Sequence, residues 1–490
     1  MRLFRISILL HRLLFIFILS IGIFAKLTGQ KVTVSDEIQL RNDLSYDLVG
    51  KVDSLVVLFR DRGNKYEIKT FDNNLKHKED IEINLSDKGC TILATIPRDT
   101  SFFVMYSYRS RGDYFIQADQ INSRGNIISS DTIKVYESML FNPDVKVARS
   151  EDKTKILFFS VHEQHELRVA LYDIKERKIL YNRTILFQET DLKDDFRSML
   201  VTNEGDYIII FEKNNFRTKK DKHVFEVHNF SIGTETNTAF LIPLFRIVSF
   251  HSKFVYDNIN KQLLGGGVYT QKNLSKAEGI YFVQHSLVPG AVEKVNAFPF
   301  ETRFDEEIKR RSKDKNEFNQ LQVTDIALKQ DGGMLLITEI KKEYERRATY
   351  SGATNRGFNS PFGFRAPLLV DYYYEDMALF SISKEGSLEW SDVLHKKQYS
   401  HDDDGMYSSF FLFKNPSKLR LIYNDEISAE NTVSEYIVQA NGQYQRKSVL
   451  STEYVRLQLR FRDAMQVSSN TFIVPSQRSL RLNLVKVEYL

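Results

Sequence analysis

The stretch KILFFSVHEQHELRVALYDIKERKILYNRTILF (155–187) is one copy of a unit that recurs along the chain. KILFFSVH (155–162) is a short apolar run rich in the branched and aromatic types that strands favour. A polar hairpin follows. In LRVALYDIKER (167–177) apolar and polar residues then alternate, as in a half-buried strand. A charged turn leads to NRTILF (182–187), a further strand.

Working outward, seven other runs align with the first: SLVVLFRD (54–61), SFFVMYSY (101–108), YIIIFEKN (207–214), QLLGGGVY (262–269), GMLLITEI (333–340), LRLIYNDE (419–426) and TFIVPSQR (471–478). Each is followed by an alternating strand, most of them ending at Asp, Asn, Gly or Ser, which supply turn chemistry. With an apolar strand ahead and a fourth behind, the unit is four strands in about 45–55 residues, the period of a β-propeller. The chain is therefore expected to be all-β: a single propeller of eight four-stranded blades over residues 31–490, with seven the alternative if the first or last unit is irregular. The eighth unit reaches Leu490 without a fourth strand, and KVTVSDEIQL (31–40) is a strand without a unit. That N-terminal strand is expected to complete the last blade and close the ring, removing an exposed sheet edge.

Composition sets the outer bounds. The 490 residues are 42% hydrophobic and 27% charged, which is globular chemistry rather than disorder. One cysteine, Cys90, excludes an internal disulfide and an all-cysteine zinc site. The net charge of +4 comes from Arg2, Arg5, Arg12 and Lys26, since residues 1–30 hold no acid and the rest is balanced. Nothing global points to nucleic acid. The same N-terminus has a basic start, an apolar run LLFIFILSIGIFA and a polar exit, the layout of a secretory signal (1–30). The apolar run is short for a membrane span, an uncleaved anchor being the alternative reading, and no later segment is long enough for one. The chain is expected to be exported, to the periplasm, the outer membrane or the exterior.

The blade DGGMLLITE–DMALFSISKEGSLEWSDVLHKK (331–339, 376–397) carries Asp331, Gly332, Gly333, Asp376, Gly386 and Trp390. In these positions it resembles the repeat of secreted, uncharacterised propeller proteins of Bacteroidetes-type bacteria. The resemblance implies fold and compartment and brings no catalytic residues.

Two departures from the repeat should crown one face. Residues 299–320 join blades five and six, with Phe304 and Ile308 at helical spacing. Residues 341–375 lie between the second and third strands of blade six. They mix arginine with aromatics, the types enriched at recognition surfaces. The candidate binding residues are Arg346, Arg347, Tyr350, Arg356, Phe358, Phe362, Phe364, Arg365, Tyr372 and Tyr373.

Other clusters weigh less. His162-Glu163-Gln164-His165-Glu166 resembles a zinc motif, but its histidines are three apart in a hairpin, so a polar turn is favoured. His401-Asp402-Asp403-Asp404-Gly405 lacks the alternation of a calcium loop. Arg111-Gly112-Asp113 sits where a hairpin turn is expected, and Gly265-Gly266-Gly267 signals close packing inside a strand. The funnel side of the second strands is mostly apolar, which implies a packed centre. No metal and no cofactor is expected. The reading is a non-catalytic module that binds an envelope protein or glycan and is monomeric outside its complex. The alternatives are a glycan-active enzyme with carboxylates in the central funnel, and an accessory subunit of an outer-membrane complex.

Overall fold

The computed structural model describes residues 29–490 except 64, 88, 139, 235–236, 272–276, 288–292, 312–319, 348–367, 426, 428–431 and 451–455. Residues 1–28, which carry most of the expected export signal, lie outside the described residues.

Eight antiparallel sheets follow one another along the chain, seven of them built from consecutive strands. The eighth combines Met465–Gln466, Thr471–Arg478 and Arg481–Tyr489 with the N-terminal strand Gln30–Val34. Gln30 pairs with Tyr489 and Val34 with Val485. Eight blades and closure by the N-terminal strand are thus the observed architecture, and the seven-blade alternative falls away.

The core is divided in the same way. Eight hydrophobic clusters lie between neighbouring blades, one at each junction around the ring. This is why second strands such as Tyr207–Lys213 read as unbroken apolar runs: a strand between two blades buries both faces. The first strands of blades one to six touch one another in series, which puts first strands at the axis. The second strands therefore do not face the funnel, contrary to expectation; their apolar residues fill the spaces between blades.

The outer strands grip the next blade at its last turn. Asp131 takes Nε and Nη2 of Arg177 at 2.9 and 2.8 Å, and the Tyr181 hydroxyl donates to the Ser231 carbonyl. Asn296 Nδ2 donates to Gly386 O at 2.7 Å, and Trp390 Nε1 to Ala440 O at 3.1 Å. Both turns contain a glycine at positive φ (Gly386 +87°, Gly442 +87°), where a Cβ would meet Asn296 or the indole within 2.8 Å. Gly386 and Trp390, two residues of the repeat pattern, thus serve two successive joints, Gly386 receiving Asn296 of blade five and Trp390 reaching the Gly442 turn of blade seven. The three strand glycines serve close packing as expected: a Cβ on Gly265 would strike the Phe254 ring at 2.3 Å, and one on Gly267 the Tyr281 ring at 2.4 Å.

Between blades five and six, Thr302–Arg311 is a helix, and Phe304 and Ile308 are buried in the core there. Phe304 packs on Phe300 and Phe380, with centroids 4.7 and 5.5 Å away. The helix lies against the outer strand of blade six rather than standing free.

Candidate functional site

Blade six departs most from the repeat. Its second strand was expected to end at Ile340 and its third to begin at Asp376. Both are longer: Met334–Arg347 and Leu368–Ile382 stay paired from Lys341↔Tyr374 to Arg347↔Leu368. The strand Gln398–His401 joins the third, with Tyr374 opposite Gln398 and Asp371 opposite His401. Residues 341–347 and 368–375, read as insertion, are therefore a three-stranded ribbon. The sequence hid it because Lys341–Arg347 is polar on both faces, leaving no apolar alternation; backbone pairing holds it instead.

Alternation sends the side chains two ways. Tyr374 is buried, and its hydroxyl accepts Arg462 Nη2 at 2.7 Å and lies 3.3 Å from Glu343 Oε1. Arg462 also donates to Asp404 O at 3.0 Å, which ties the ribbon to the entry of blade eight. On the other face Tyr344, Tyr373 and Tyr399 form a ladder, with centroids 5.8 and 4.9 Å apart. Its ends face solvent, Tyr344 being 43% and Tyr399 41% exposed. The Tyr399 hydroxyl donates to Asp371 Oδ1 at 3.0 Å, and His401 continues the stack at 6.1 Å.

Of the candidate binding residues, Tyr373 is the centre of this ladder. Tyr372 points the other way, buried, its hydroxyl 3.4 Å from Asp404 Oδ1. Arg346 and Arg347 contribute backbone pairing at the ribbon's end. Tyr350, Arg356, Phe358, Phe362, Phe364 and Arg365 lie outside the described residues. Tyr399 was not among the candidates, and His401 was weighed only as the head of the acidic run. The signal for Tyr399 is the alternation in QYSH (398–401), within what reads as a connection between blades.

The acidic run is spent on its own turn and on the ribbon strand beside it. Asp403 Oδ1 accepts Ser400 Oγ and the Gly405 amide, both at 2.9 Å, and Asp402 Oδ1 accepts the Val370 amide at 2.8 Å. Burial pushes the Asp403 carboxyl above its ordinary range. Glu163 and Gln164 form a tight turn at positive φ, and His165 Nδ1 lies 2.8 Å from Thr190 O. Among the described residues no three His, Cys, Asp or Glu side chains gather for a metal ion. Arg111 and Gly112 are the two residues of a hairpin turn.

Near the axis, Asp47 on the first strand of blade one accepts Thr95 Oγ1 from blade two at 2.5 Å. Burial raises its carboxyl, while Thr95 opposes the shift. Asp463, entering from blade eight, is paired with Arg460 at 2.5 Å.

No family model matches this chain, and no curated protein matches it. Solved structures do, at low identity. The β-propeller domain of the Trilobed protease from Pyrococcus furiosus is 10% identical, with a TM-score of 0.34, covering 86% of this chain and 98% of that one. The Nup133 β-propeller domain of Vanderwaltozyma polyspora is 9% identical, with a TM-score of 0.36 and 82% and 100% covered. Prolyl oligopeptidase B from Galerina marginata is 9% identical, with a TM-score of 0.38; 89% of this chain matches 56% of that one. The chain thus spans about half the length of that enzyme. These are likenesses of fold.

Proposed function

We propose that the chain is a non-catalytic binding module of the cell envelope that recognises a protein or glycan through the ribbon of blade six. The observation that supports this reading is the Tyr344–Tyr373–Tyr399 ladder on a paired, anchored strand platform. Exposed aromatic rings offer large contact area at low entropic cost, and their faces suit sugar rings and apolar side chains alike. The envelope address rests on the export-like N-terminus, and it is compatible with a role as accessory subunit of an outer-membrane complex. A glycan-active enzyme would need a pair of free carboxylates in the funnel, and two acids near the axis, Asp47 and Asp463, are engaged by Thr95 and Arg460.

The test is affinity capture from the native envelope extract, with a glycan array beside it. The intact chain is compared with Y344A/Y373A/Y399A and with D47N. Recovery of one ligand, reduced at least about tenfold in the triple variant and unchanged in D47N, supports the reading. A ligand held equally well by the triple variant sinks the ribbon as the surface. A ligand that is chemically turned over, with turnover lost in D47N, sinks the non-catalytic assignment.

A further inference from the structure

Two loop tips of blade four expose phenylalanine beside cations. Between its second and third strands, Phe216 precedes the short turn Arg217–Lys222 and is 62% exposed. On the way into blade five, Phe245 is 73% exposed and Arg246 follows it into solvent. Both tips stand on a fixed base. The Asn215 amide clamps the Ser249 backbone, donating to O at 2.9 Å and accepting from N at 3.0 Å. His223 is buried, with its ring nitrogens 2.8 Å from Ile247 O and 3.0 Å from Glu212 Oε1. Leu244 and Ile247, on either side of Phe245 and Arg246, are buried. The fold therefore holds the two rings outward.

The charge within the two tips is mostly positive, while Asp194 and Glu278 lie on the adjoining connections. Arg217, Lys219, Lys222 and Arg246 are exposed, and Lys219 Nζ lies 6.0 Å from the Phe216 ring. The acid within these two tips is Asp221, which pairs with Arg246 at 3.3 Å and links them. Basic and acidic residues balance over the chain beyond residue 30, so this excess is local. Both connections open on the face that also carries Leu44, Leu140 and Phe141, which are 76%, 85% and 82% exposed.

We infer that the blade-four rim docks on an anionic lipid surface. Phe216 and Phe245 enter the headgroup boundary, and Arg217, Lys219, Lys222 and Arg246 pair with headgroup phosphates. Apolar tips and cations together are the two components of interfacial binding, and neither alone is sufficient for firm attachment. A single-stranded nucleic acid would use the cations and stack on the rings, but it would leave the aliphatic tips of the same face without a partner. The inference is independent of the ribbon, which belongs to another blade.

The test is flotation of the intact chain with vesicles of phosphatidylcholine alone and of phosphatidylcholine with about one third phosphatidylglycerol. Binding is expected on the anionic vesicles, falling with salt. K219E/R246E and F216A/F245A should each weaken it about tenfold or more. The substituted residues are exposed, and unchanged thermal melts confirm intact folding. F216W should shift its emission to the blue on anionic vesicles; the native indole of Trp390, bonded to Ala440 O, gives a constant background. Three results overturn the inference: equal binding to neutral vesicles, anionic binding indifferent to F216A/F245A, or no vesicle binding while an RNA or acidic protein is captured through the same cations.

Discussion

Glu339 and Lys396 are fully buried with 2.5 Å between their charged atoms, at the base of the ribbon. Lys396 Nζ also donates to Tyr374 O at 3.0 Å and Gln398 Oε1 at 2.8 Å, and Glu339 Oε2 accepts Ser409 Oγ at 2.7 Å. Desolvation works against both charges, yet the Lys396 ammonium holds the Glu339 carboxyl below the usual carboxylate range. Removing one partner strands the other. E339Q should cost about 3–5 kcal/mol in urea unfolding, and E339M/K396M should recover most of it. The sign with pH follows from the lowered folded value. The pair's contribution is complete above the unfolded value of about 4.3 and is lost as pH falls through the folded one. The double variant should therefore lose less stability than wild type between about pH 5 and pH 3. A lone charge inside the apolar run GMLLITEI was the only sign of Glu339 in the sequence; its partner, 57 positions on, was not marked at all.

At the scale of elements, packing explains both what was legible and what was hidden. The glycine run was read as close approach, and the rings of Phe254 and Tyr281 occupy the space that side chains would take. G265A should destabilise by about 1–3 kcal/mol in the same urea assay. Its effect should be smaller in an F254A background, because the ring it strikes is gone. The helix Thr302–Arg311 was legible because Phe304 and Ile308 lie one turn apart on the face that it buries. The ribbon was not legible. Its three strands share no apolar face, and the third arrives from 24 residues beyond the second one's partner register, a pairing set by where the chain returns after blade six.

For the whole molecule, closure is the decisive feature. Gln30–Val34 pairs along Arg481–Tyr489, and Val32 and Val34 pack on the cluster between blades seven and eight. A chain lacking residues 30–34 exposes that strand edge and part of that core. It should lose about 3 kcal/mol or more of stability and self-associate. A lowered melting midpoint together with rising light scattering checks this; an unchanged midpoint would mean that the ring does not depend on the closing strand.

The recurrence of apolar strands and turn residues by itself determined the class and the closing strand and gave eight blades with seven as the alternative, between which the eight sheets decided. Strand burial between blades is a local pattern repeated eight times, and each copy reinforces the same reading. The tertiary structure alone decided which tyrosines share a face, which charges meet in the interior and which phenylalanines stand in solvent. Those outcomes depend on contacts between segments tens of residues apart, and neither hydrophobic period nor turn chemistry carries information across that distance.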